Sequence, residues 1–146
     1  MEMWTQTDEI DHAIEIWLDT LNEEVIQEAE ELGILSGVTT NPSLMSKSFL
    51  NIEDQVERLL DIQSGFVAVQ VLSNTAEEML KETRTYHEIS DRVIVKIPAT
   101  KAGFLTIKNC RERHMLTMAT GVVSTRQALL AGIAGADYVA PYLGTM

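Results

Sequence analysis

The sequence contains a single cysteine, Cys110, so no internal disulfide can form, and a reducing cytoplasm is the expected setting. On a helix-forming stretch that thiol is expected to be half-buried and inert. Basic residues are scarce. Eleven Lys and Arg stand against twenty-two Asp and Glu, for a net charge of −11. Such a field repels phosphate backbones and anionic lipid, so neither nucleic acid nor a membrane surface is expected as a partner. A small anionic substrate is still compatible, because a local pocket can oppose the global field. No apolar run approaches the ~20 residues of a membrane span. The acidic opening "MEMWTQTDEIDHAIEI" has no basic segment followed by an apolar one, so no secretory leader is expected.

Several chemistries lack their residues. No glycine-rich loop joins a strand to a helix, which argues against a dinucleotide or P-loop site. No Ser-His-Asp or Cys-His set is apparent. His12, His87 and His114 are scattered without metal-ligand spacing, so solvated or capping roles are expected, and no cofactor is implied.

Short apolar runs alternate with amphipathic ones instead. Strands are expected at 13–19, 35–40, 65–72, 92–99, 115–120 and 137–143. Helices fall between them, with Asn22 and Asn74 as candidate caps and Gly33 as a candidate terminator. The units are near the ~30 residues or fewer that βα repeats use. No linker or low-complexity segment interrupts them, so residues 1–146 are expected to form one domain. Strict alternation implies a parallel sheet covered by helices. An open doubly wound sheet suits the length, whereas a (β/α)8 barrel uses about 250 residues.

The strand ends argue for the barrel. Asp19, Thr39 with Asn41, Gln70, Lys96 and Thr120 each sit at or near the end of a strand, and the last strand ends in Tyr142. In parallel α/β sheets ligands bind beyond the carboxyl ends of the strands, and in a barrel those ends share one mouth. Plainer roles exist: Asp19 as a helix cap, Asn41-Pro42 as a turn, Thr120 as an ordinary strand residue. Lys96 could belong to an exposed edge of an unrelated open-sheet binding module. Yet it interrupts the apolar run "VIVKIP", where an ammonium is costly unless paired or deprotonated. A desolvated lysine is a nucleophilic amine suited to Schiff-base formation with a carbonyl. A water held by Gln70, Thr120 and Tyr142 could then move protons, and Asp19 and Asn41 could bind substrate hydroxyls.

The segments "GVTTNPSLM" (37–45) and "VIVKIPAT" (93–100), with "IWLDT" and "ALLAGIAGADYVAPYLG" in the same order, resemble the transaldolase family, including its small fructose-6-phosphate aldolases. The resemblance runs from about Ile14 to Gly144. It implies a (β/α)8 TIM-type barrel, incomplete here at about six βα units. It also implies Lys96 as the Schiff-base lysine, with Gln70, Thr120 and Tyr142 as catalytic water ligands and Asp19, Thr39 and Asn41 on the donor sugar. Transaldolases of the family usually have glutamate at Gln70, phenylalanine at Tyr142 and asparagine at Met118, so the aldolase branch is the nearer one.

The implied reaction is reversible cleavage of fructose 6-phosphate to dihydroxyacetone and glyceraldehyde 3-phosphate. Dihydroxyacetone transfer and a non-catalytic fragment are the alternatives. A sugar or sugar phosphate is the expected partner, and intact members are expected to be homo-oligomers. An arginine usually grips phosphate shortly after the sixth strand, where this sequence has Thr145.

Overall fold

The structure, a computed structural model, describes residues 14–144, so His12 and Thr145 lie outside it. Its elements run β1 (Ile16–Asp19), α1 (Glu23–Glu31), β2 (Leu35–Thr39), α2 (Pro42–Met45), α3 (Ile52–Ile62) and β3 (Phe66–Gln70). They continue with α4 (Ala76–His87), β4 (Val93–Pro98), α5 (Lys101–Glu112), β5 (Thr117–Val122), α6 (Thr125–Ala134) and β6 (Tyr138–Pro141). Each strand pairs in parallel with the next, giving the order β1-β2-β3-β4-β5-β6. A doubly wound sheet reverses its order at a switch point. This one never does, and sequential order is the arrangement of a TIM-type barrel.

The sheet is curled. Strands lie about 4.8 Å apart, so the edges of a flat six-stranded sheet would be separated by roughly 24 Å. Instead the ring of Trp17 on β1 meets that of Tyr138 on β6 edge-to-face, with centroids 5.4 Å apart. Glu15 spans the same gap, accepting from Trp17 Nε1 at 2.9 Å and from the Tyr138 hydroxyl at 3.3 Å. Phe66 on β3 stacks near Trp17 at 6.2 Å. Gly37 on β2 makes room for this cluster, because a Cβ there would stand 2.5 Å from the Trp17 ring. The described residues thus form five βα units and a sixth strand of an incomplete (β/α)8 barrel, one helix short of the six units expected.

Two cores result from one alternation. Side chains at successive strand residues point to opposite faces. Val38, Val67, Val69, Val95, Ile97 and Ala119 face outward and pack with Ile26, Val56, Leu59 and Ile107 from the helices. Ala68, Ile94 and Met118 face inward with Trp17, Phe66 and Tyr138. Strand β4 is buried at every residue from Val93 to Ile97 because both its faces are covered. Lys96 shares the inward face with Ile94, and the exposed-edge alternative is excluded by its position between β3 and β5.

Helix starts follow local capping chemistry. Asn22 caps α1 and Asn51 caps α3, each accepting backbone N–H bonds from the first turn. Asp19 is therefore no cap. Helix α4 is capped by Thr75 rather than the expected Asn74, with Thr75 accepting from Glu78 N. Gly33 follows the end of α1 in the left-handed region, with φ 68°. Strand β5 lies two residues later than expected. His114 turns the chain at φ 56°, the pairing with β4 begins at Thr117, and Gly121 carries the strand through an irregularity at φ 65°. Tyr142 follows β6 rather than ending it. Cys110 is fully rather than half buried, and that burial pushes its thiol up to about 11. Among the described residues no helix is long and apolar enough to cross a membrane.

Candidate active site

The polar strand-end residues converge. Asp19 from β1, Thr39 from β2, Gln70 from β3, Lys96 from β4 and Thr120 from β5 occupy inward positions toward the carboxyl ends. Together with Asn41 and Tyr142 they line one cavity of about 500 Å³, which Pro42, Ser43, Met118, Ala140 and Pro141 complete. All the residues singled out in the sequence for chemistry or substrate contact therefore reach the same cavity. Register explains why. Asp19 pairs with Thr39, while Gln70 and Met118 flank Lys96 on either side.

Lys96 is the only cation and Asp19 the only carboxylate among the described residues lining this cavity. The lysine retains 7% of its surface, while Thr120 is buried and Tyr142 half exposed. Burial pushes the Lys96 amine below the ordinary lysine range, because removal from water disfavours the ammonium; the nearby Asp19 carboxylate works the other way. The neutral, nucleophilic form is thereby favoured relative to an exposed lysine. Its Nζ donates to the Thr40 carbonyl at 2.7 Å.

Asp19 is organised by its neighbours. Thr39 Oγ1 donates to Asp19 Oδ1 at 3.0 Å, and Asn41 Nδ2 approaches Oδ2 at 3.5 Å. Asn41 also caps α2, its Oδ1 accepting from Leu44 N at 2.9 Å, with Pro42 in the first turn. Capping fixes the side-chain amide at the mouth, so Asn41-Pro42 serves as the turn and Asn41 also lines the cavity. Met118 and Ala140 supply apolar wall beside the lysine.

Sequence reasoning overlooked Thr40. It is fully buried, and its carbonyl is the acceptor for Lys96. The available signal was the pair Thr39-Thr40 at a strand end. Alternation sends only one of the two to the mouth, and the other must find partners inside the protein.

The sequence matches the family described as transaldolase/fructose-6-phosphate aldolase over residues 16–146. A "Probable transaldolase" of Geobacillus sp. (strain WCH70) is 41% identical over 133 residues, covering 91% of this chain and 62% of the relative. Proteins of the same name from Clostridium kluyveri and Shouchella clausii are 38% and 41% identical over the same shares. The chain thus spans 62% of the length of these curated relatives.

Proposed function

The chain belongs to the transaldolase/fructose-6-phosphate aldolase family, and from that premise we propose that Lys96 forms a Schiff base with the ketone of a dihydroxyacetone-type sugar or sugar phosphate. The observation that carries this reading is a buried amine of lowered proton affinity opening onto a polar cavity. The neutral amine attacks the ketone carbon to give a carbinolamine. Loss of water leaves an iminium, which draws in the electron pair of the adjacent C–C bond as that bond breaks. The hydroxyl beyond the bond gives up its proton and departs as an aldehyde, leaving an enamine on Lys96. Protonation of the enamine carbon and addition of water then release the ketone and restore the amine.

The other residues lining the cavity are assigned roles within this reading. Asp19, Thr39 and Asn41 bind the hydroxyls of the donor portion. Gln70, Thr120 and Tyr142 surround the space where a water relays protons, without placing a second carboxylate beside the amine. A tyrosine hydroxyl and a neutral amide at that water favour protonation of the enamine, hence cleavage to free dihydroxyacetone in the cytoplasm. The name carried by the relatives favours the second reading, in which the enamine waits for an acceptor aldehyde and the donor is transferred.

Borohydride trapping tests the shared step. The purified chain is incubated with dihydroxyacetone or fructose 6-phosphate, reduced, and digested for mass spectrometry. An adduct on the peptide bearing Lys96 is expected. A folded sample without it would sink the reading and leave a non-catalytic member of the family. Cleavage of fructose 6-phosphate with no acceptor present then separates lyase from transferase.

A further inference from the structure

Thr39 and Thr40 are adjacent and chemically identical, yet the fold uses them oppositely. Thr39 faces the mouth. Thr40 points the other way and is fully buried, where a hydroxyl must find a partner. Its Oγ1 donates to the Ala68 carbonyl at 2.8 Å, and its backbone N–H donates to the same oxygen at 2.9 Å. Two donors from one residue onto one carbonyl hold its peptide group against β3. The Thr40 carbonyl then meets Lys96 Nζ at 2.7 Å, within the short range of charge-assisted bonds. The connection crosses three strands: Thr40 follows β2, Ala68 lies on β3, and Lys96 lies on β4.

A lysine amine sits at the end of a flexible four-carbon stem. Holding its nitrogen against one fixed acceptor removes most of that freedom before a substrate arrives. We propose that Thr40 is a positioning residue, anchored by its hydroxyl to β3 so that its main-chain carbonyl holds the Lys96 amine at the mouth. The inference rests on Lys96 being the imine-forming amine for its catalytic meaning, but the coupling from Thr40 to Lys96 is measurable without catalysis. Thr40 touches no reacting atom; it acts through Lys96.

The test compares Thr40→Val, which keeps the shape and the backbone N–H but removes the hydroxyl, with Thr40→Ser, which keeps the hydroxyl. The first readout is the pH dependence of Lys96 acetylation by trace acetic anhydride, followed by mass spectrometry. A looser carbonyl favours the ammonium less, so the midpoint for Lys96 moves to lower pH in Thr40→Val and returns in Thr40→Ser. The second readout is borohydride trapping with dihydroxyacetone. The trapping rate is expected to fall about tenfold in Thr40→Val, the scale of one buried hydrogen bond, and to recover in Thr40→Ser. An unmoved midpoint and rate in Thr40→Val overturn the proposal, as does a Thr40→Ser variant that behaves like Thr40→Val. A shifted midpoint in a chain that traps no ketone keeps the positioning role and refutes the aldolase reading. Trapping that is indifferent to Thr40, with an indifferent midpoint, does the reverse. One further measurement needs no substitution. The Nζ protons of Lys96 should exchange with water more slowly than those of exposed Lys101 and Lys108, and equal rates overturn the proposal.

Discussion

Two of the concavities that carry lysine among the described residues differ in kind, and the larger keeps its lysines in water. The groove between α5 and α6 encloses about 680 Å³, lined by Phe104, Leu105, Leu130, Ile133 and Ala134, with Lys101 and Lys108 among its walls. The mouth of the curled sheet encloses about 500 Å³. In the groove the lysines are exposed, free to lay their stems on apolar surface and keep their charged heads in water. In the mouth Lys96 is buried, its nitrogen fixed on a carbonyl, with one carboxylate lining the same cavity. Volume and apolar lining do not make an amine reactive. Desolvation, which lowers the proton affinity of Lys96, is what separates the two settings.

The sharpest way to break that contrast is to exchange the lysines. Lys96→Met is expected to abolish the trapped adduct altogether, while Lys101→Met with Lys108→Met leaves it intact; an adduct surviving in Lys96→Met would falsify the assignment of the amine. The packing behind each concavity differs in the same sense. Ile97, fully buried on the outer face of β4, should cost about 2–5 kcal/mol when cut to Ala, read by urea denaturation. Ile133, 68% exposed beside the groove, should stay within about 0.5 kcal/mol under the same change. Gly37→Ala comes next. Its new methyl overlaps Trp17, and a loss of about 1–3 kcal/mol is expected, with a weakened near-ultraviolet aromatic signal.

The smallest expected effect is a slope. Because burial lowers the Lys96 proton affinity in the folded chain, the unfolded chain holds the proton between the folded value and the ordinary lysine value. Stability must therefore rise with pH across that alkaline window. Below the folded value both states carry the proton and the contribution is flat. Denaturation of the parent chain and Lys96→Met, compared across that range, should show the rise only in the parent. Parallel curves would mean that Lys96 titrates as a lysine in water does.

Much of this was legible in the sequence because strand and helix periods differ. "VIVKIP" read as a two-faced buried strand with one misfit, and the misfit proved to be the group at the mouth. The polar residues ending successive strands were visible individually, and their meeting followed once sequential pairing was assumed. What could not be read depends on tertiary parity. Nothing local distinguishes Thr39 from Thr40; pairing with β3 decides which one faces inward. Asn74 and Thr75 have equivalent capping chemistry, and only the path of the loop selects the second. The contact of Tyr138 with Glu15 joins residues 123 apart and exists only because the sheet curls.

That contact has an optical consequence. Trp17 lies within 5.4 Å of a tyrosine ring, and its indole N–H is held by a carboxylate. Tyrosine-to-tryptophan energy transfer is efficient at such range, and indole emission shifts when its hydrogen bond or hydration changes. With Trp4 replaced by Phe, the chain carries one indole, placed where the first strand meets the last. Parting of β1 from β6 unquenches Tyr138 and reddens Trp17 together, so the curvature that gathers the mouth becomes a colour.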